Sequence, residues 1–97
     1  MYIVYVIQND IDKGVYIGIT TNLRQRVEQH NNGENKSTIR KSGKWILIYA
    51  EAYRNRIDAQ LRERKLKSHG SGKHELYKRI QNSLIGSQKT GAGQNLG

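Results

Sequence analysis

Two apolar runs near the start of the chain, Met1–Ile7 and Val15–Ile19, are separated by little more than Asn9-Asp10-Ile11-Asp12-Lys13-Gly14. Asn and Asp side chains in such a stretch bond their own backbone, and glycine takes positive φ without steric cost. The pattern predicts an antiparallel hairpin. In its first strand Tyr2, Val4 and Val6 fall on one side and Ile3, Tyr5 and Ile7 on the other, so both faces are covered. A chain that commits its first 19 residues in this way must cover the sheet with its remaining segments.

The period then changes. Thr21 or Asn22 caps a helix whose apolar positions are Leu23 and Val27, and Gly33 ends it. From Gly33 to Lys44 the chain is polar and reads as a surface loop containing one helical turn, the kind of segment that often carries binding residues. Trp45 to Ala52, free of Pro and Gly, is expected to be the central strand. A second helix runs from Arg56 or Ile57 to Ser68. A third runs from Lys73 to about Leu84, with Leu76, Tyr77, Ile80 and Leu84 as its apolar stripe. The remainder is Gly, Ser, Gln, Thr and Asn and has little to bury, so residues 1–84 are expected to form the domain and 85–97 a disordered tail. The order strand, strand, helix, strand, helix, helix predicts an α+β fold with a small antiparallel sheet flanked by helices.

Composition narrows the function classes. The chain has 97 residues, room for one domain. Seventeen Lys and Arg against eight Asp and Glu leave a charge of +9, which favours a polyanion as partner, nucleic acid ahead of anionic lipid or a merely solubilising surface. With no cysteine there is no disulfide, thiolate nucleophile or sulfur-bound zinc. Histidines 30, 69 and 74 do not cluster. No apolar stretch approaches the length of about 20 residues that a spanning helix needs, and Met1–Ile7 reads as a strand, not a signal peptide. A cytoplasmic location with no membrane partner is the expectation.

Several residues could carry chemistry. Leu23, Arg26, Val27 and His30 share one side of the first helix, so Arg26 and His30 are carried toward the sheet with the two apolar residues. Arg26 there either lies along the sheet edge or grips a phosphate with its fork of donors. His30 is then a hydrogen-bonded border residue or part of the same site. In the second helix Ala59, Glu63 and Leu66 share a side, and Glu63 stands among Arg62, Arg64, Lys65 and Lys67. It is either an ion-pair partner, of Arg26 or a lysine, or a ligand for a hard divalent cation. Tyr5 and Tyr16 are packing residues with a wet hydroxyl, or proton acceptors helped by nearby cations. Gly18 leaves space for a phosphate or a neighbouring backbone.

These pieces together resemble the GIY-YIG nuclease superfamily. The residues that carry the resemblance are Val4-Tyr5, Tyr16-Ile17-Gly18, Asn22 to His30, Trp45 to Glu51 and Asp58 to Lys67, spread over roughly residues 2 to 80. The likeness is greatest to small stand-alone bacterial members related to the nuclease domain of the excision-repair endonuclease subunit. It implies a three-stranded antiparallel sheet with about three helices, and hydrolysis of DNA phosphodiesters with one Mg²⁺ or Mn²⁺. By the same resemblance Tyr5 and Tyr16 are the motif tyrosines and Gly18 the motif glycine. Arg26 is the arginine on the attacked phosphate, His30 the residue one turn later, and Glu63 the metal-binding glutamate. The first-motif glycine is replaced by Ile3, and Ile19 stands where the repair subunit has a lysine.

The expected partner is DNA, branched or damaged forms included, held also by Gly18, Arg24, Lys36, Arg40, Lys41, Lys44, Arg62 and Lys65. Low intrinsic sequence specificity is expected, since the chain carries no added reading module. The alternative is a nucleic-acid-binding domain on the same scaffold without catalysis. Tyr5 and Tyr16 stand equal as the base.

Overall fold

The first strand lies at the centre of the sheet. In the computed structural model, which describes residues 1–35, 38, 42–68 and 71–86, β1 (Tyr2–Asn9) pairs antiparallel with both β2 (Val15–Thr20) and β3 (Trp45–Tyr53). The strand order is therefore β2-β1-β3. This corrects the expectation that Trp45–Ala52 is central: its run of apolar residues is that of an edge strand, and Ile46 and Leu47 are exposed. Three helices complete the domain, α1 (Leu23–Asn31), α2 (Arg56–Lys67) and α3 (Ser71–Arg79). Among the described residues no helix is long and apolar enough to cross a membrane.

The alternation of β1 divides the interior in two. Val4 and Val6 pack with Ile17, and with Ala59 and Leu66 of α2 and Leu76 of α3. Tyr5 and Ile7 pack on the other face with Trp45, and with Leu23 and Val27 of α1. Ile80 comes after α3 and joins the first cluster, with Tyr77 and Leu84 packed against it.

Local chemistry sets the turns. In the β1–β2 connection Asn9 Oδ1 accepts from the backbone of Ile11 and Asp12, and Asp12 Oδ1 from that of Gly14. The left-handed residue is Lys13, at φ 65°, not Gly14 as the sequence suggested. Asn22 caps α1 by accepting from the Gln25 backbone, and Asn55 caps α2 by accepting from Ile57. Helix α3 begins earlier than expected and passes through Gly72. A Cβ there would come within 2.8 Å of the Lys65 carbonyl oxygen, so the missing side chain lets α3 close on α2. The helix also ends earlier, at Arg79, and gives way to turns. Ile85, assigned by sequence to the tail, belongs to the domain: its backbone N–H donates to Gln8 Oε1 at 2.6 Å. Residues 87–97 of the expected tail lie outside the described residues.

Candidate active site

Tyr5 is the hub of the α1-facing side of the sheet. It stands opposite Gly18 in the β1–β2 register and is fully buried. Its hydroxyl lies 2.8 Å from Nε2 of His30, which α1 carries in from above. His30 is 2% exposed, so it is a core residue and not a border one. Its ring centroid is 4.9 Å from that of Tyr16 and 6.4 Å from that of Trp45. The remaining ring nitrogen, Nδ1, is 2.8 Å from Oγ1 of Thr38, a buried threonine of the loop before β3.

Gly18 makes this packing possible. A Cβ at that position would lie 2.6 Å from the Tyr5 oxygen and 2.7 Å from its Cζ. The glycine thus accommodates the tyrosine of the neighbouring strand, a closer use than the phosphate approach expected of it.

Charge reaches the Tyr5 hydroxyl from two helices. Burial, and then the neighbouring Tyr16, push its pKa up to about 12; the Arg26 guanidinium opposes this as a nearby charge and hydrogen-bond donor, while the Glu63 carboxylate adds to the rise. Arg26 and Glu63 therefore both act on one oxygen. Burial first, and then Arg26, hold His30 below its ordinary value, so the imidazole is neutral at neutral pH. Glu63 pairs with Lys67 one turn on, at 3.1 Å, and not with Arg26. Lys67 Nζ also stands 5.9 Å from the Tyr16 ring centroid, which brings that end of α2 to the β2 edge of the sheet.

Tyr5, Tyr16, Gly18, Arg26, His30 and Glu63 are thus brought together. Other expected contacts are placed differently. Arg62 donates through Nε and Nη2 to both oxygens of Glu51, at 2.9 and 3.0 Å, so its fork is engaged by a carboxylate on the opposite face of the sheet. The same carboxylate accepts from Tyr49 at 2.6 Å and Tyr53 at 2.5 Å. Lys65 lines a cavity of about 180 Å³ with Arg62, Glu75 and Arg79, apart from Tyr5. Arg24 and Lys44 are exposed. Lys36, Arg40 and Lys41 lie outside the described residues.

Sequence reading missed Thr38, a buried residue in a loop of polar composition, for which no local signal exists. It also missed the Glu51 network. Here a signal was present, because Tyr49, Glu51 and Tyr53 alternate along one strand and share a face.

A hard divalent cation, implied by the resemblance, can be tested against these donors. Among the described residues no group of three or more His, Cys, Asp or Glu could hold a metal ion. Glu63 is a lone carboxylate at the cluster. That donor set fits an ion that keeps its waters and takes phosphate oxygens from a substrate, and does not fit a cage built wholly by protein.

Comparison with known proteins agrees with this architecture. A UPF0213 protein of Clostridium perfringens is 39% identical over 56 residues, 58% of this chain and 60% of that protein. One from Desulfotalea psychrophila is 34% identical over 67 residues, 68% of this chain and 60% of that protein. The chain thus spans about three fifths of the length of these two relatives. A third, from Haloquadratum walsbyi, is 33% identical over 66 residues and is covered over 73% of its length. The solution NMR structure of a UPF0213 protein from Bacillus halodurans shares the fold, with a TM-score of 0.51 at 22% identity over 94% of this chain and 100% of that one. The family model described as the GIY-YIG catalytic domain matches residues 1–78, a span that holds the whole sheet and the Tyr5 cluster, and the chain belongs to the GIY-YIG family.

Proposed function

We propose that this chain hydrolyses phosphodiester bonds of DNA at the Tyr5 cluster, as an endonuclease of low sequence specificity dependent on Mg²⁺ or Mn²⁺. The observation that carries the reading is the Tyr5 hydroxyl, held 2.8 Å from a neutral imidazole while a guanidinium and a carboxylate act on it from two helices.

The charges dictate the chemistry. With its pKa near 12, Tyr5 is not a phenolate at neutral pH, and it accepts a proton only by giving one up at the same moment. His30 Nε2 is placed to receive that proton. A water attacking phosphorus loses its proton to the Tyr5 oxygen as the Tyr5 proton passes to His30. The new oxygen–phosphorus bond forms while the bond to the 3′-oxygen breaks, and the departing oxygen is protonated from solvent. Arg26 stabilises the charge that collects on the pentacovalent phosphorus. The imidazolium formed at His30 is disfavoured by Arg26 in the protein alone; a phosphate bound to Arg26 offsets that charge and makes His30 a better acceptor. Tyr5 is preferred to Tyr16 as the group that takes the water proton because His30 bonds its hydroxyl.

Glu63 would hold the divalent cation, in competition with Lys67. When bound, such an ion neutralises the attacked phosphate and the leaving oxygen. DNA repair is a compatible setting, through the likeness to the excision-repair subunit.

The test is a nicking assay on supercoiled, branched and single-stranded DNA, with and without Mg²⁺ or Mn²⁺. Cleavage by the parent chain, lost in Arg26→Ala and in Glu63→Gln, supports the reading. Salt-sensitive binding with no cleavage by the parent under any metal condition would replace it with the non-catalytic alternative.

A further inference from the structure

We infer that Thr38 is a positioning residue that fixes the tautomer of His30, holding the proton on Nδ1 so that Nε2 faces Tyr5 as an acceptor. The direction follows from the loop end of one chain of hydrogen bonds. At one end the Tyr5 hydroxyl can donate or accept, and the Arg26 charge near it, on a guanidinium that carries donors only, favours a hydroxyl that gives its hydrogen to another group. The neighbour in reach is His30 Nε2, at 2.8 Å. At the other end the Asn35 carbonyl can only accept, and the Thr38 hydroxyl donates to it at 3.4 Å. That leaves the Thr38 oxygen to accept from Nδ1, at 2.8 Å. The bonds then run in one direction: Tyr5 to His30, His30 to Thr38, Thr38 to the Asn35 carbonyl.

Burial gives the arrangement its force. Thr38 is 3% exposed and His30 2%, so water does not readily replace either partner, and a buried Nδ1–H without an acceptor is costly. The opposite tautomer would set a bare Nδ1 against Thr38, whose hydrogen would then have to leave the Asn35 carbonyl. It would also deprive the Tyr5 hydroxyl of its bonded acceptor. The groups around His30 are Tyr5 from β1, Tyr16 from β2, Arg26 from α1 and Trp45 from β3, with Lys67 and Glu63 of α2 beyond Tyr16. Of these only Tyr5 is bonded to Nε2.

The consequence for cleavage rests on the proposed nuclease reading, whereas the tautomer does not, and the experiment separates them. Long-range ¹H–¹⁵N spectra of the ¹⁵N-labelled full chain at neutral pH report which His30 nitrogen carries the proton. The expected result is a protonated Nδ1 and a bare Nε2 in the parent and in Thr38→Ser, with the Nε2–H form populated in the near-isosteric Thr38→Val. In the nicking assay Thr38→Val lowers kcat roughly tenfold at unchanged KM, and Thr38→Ser restores it to within about twofold of the parent, the scale of one neutral hydrogen bond. A protonated Nε2 in the parent overturns the inference, as does an unchanged His30 spectrum in Thr38→Val. A parent that cuts no DNA yet shows the Nδ1–H tautomer overturns the nuclease reading and leaves the inference standing.

Discussion

Gly18 and Tyr5 face each other across the β1–β2 ladder, and the space where a Gly18 side chain would stand is filled by the Tyr5 phenol. The two strands therefore define the site between them: one supplies the hydroxyl, the other withdraws its side chain so that the hydroxyl can lie at the sheet surface beneath α1. Because the Tyr5 ring is buried and tied to His30, it has little freedom to move aside.

Gly18→Ala tests that relationship. A methyl group at 2.6 to 2.7 Å from the Tyr5 oxygen and Cζ must displace the ring or the strand. The expected cost is about 1–3 kcal/mol of unfolding free energy, as for other overpacked cores. Urea unfolding measures it. Unchanged stability would mean that the ring yields freely and that the Tyr5–His30 geometry is not held by β2.

The same pair shows how far the sequence alone reaches. The alternation of β1 assigned Tyr5 and Val4 to opposite faces, and the helical spacing of Arg26 and His30 brought both toward the sheet. These are local periodicities, and local periodicity is readable. The position of β3 was not. Its apolar run looks like a buried centre, but strand order depends on which partners each strand finds, and β1 found both. The start of α3 was hidden by Ser71-Gly72, which reads as a breaker in isolation, whereas the missing Gly72 side chain here lets α3 approach α2. Thr38 was hidden because it lies in a loop with no period, eight residues from its partner His30.

Glu51 gives a stability prediction with a definite sign. Burial alone would raise its pKa, but Arg62, Tyr49 and Tyr53 outweigh burial and hold the carboxyl at about 2. The folded value lies below the ordinary 4.5, so the unfolded chain binds more protons in between. Stability from this group is present above about pH 4.5 and is lost as pH falls toward 2. The drop corresponds to roughly 3 kcal/mol at neutral pH, an order-of-magnitude figure. Glu51→Gln is expected to lower neutral-pH stability by about 2–3 kcal/mol and to flatten the acid limb, as measured by urea unfolding at a series of pH values. An unaltered acid limb in the variant would remove Glu51 from the account.

Lys67 gives a metal-binding prediction. It holds the Glu63 carboxylate at 3.1 Å, and half of its side chain is solvent-exposed. A cation bound at Glu63 has to compete with it. Lys67→Met should therefore tighten Mn²⁺ binding about threefold, the scale of an exposed ion pair, in a paramagnetic relaxation titration of the protein without DNA. Weaker binding in the variant would place the metal elsewhere.

His30 supplies the last prediction. Burial first and Arg26 second hold it below 6.5, so between its folded value and 6.5 the unfolded chain carries more protons than the folded one. Its contribution to stability is therefore complete above about pH 6.5 and declines as the solution becomes more acidic. A His30 ring-proton NMR titration of the parent should show a midpoint below 6.5, and in Arg26→Gln the midpoint should rise, because one of the two causes has been removed. In the proposed mechanism cleavage requires the neutral imidazole, so the acid limb of the parent's pH–rate profile should track the His30 titration as it stands when DNA is bound. His30→Phe, which keeps an aromatic ring beside Tyr16 but accepts no proton, should lower kcat by about 10²–10⁴-fold. A midpoint at or above 6.5 in the parent would contradict the burial argument, and a His30→Phe chain that cuts at the parental rate would remove His30 from the proton path.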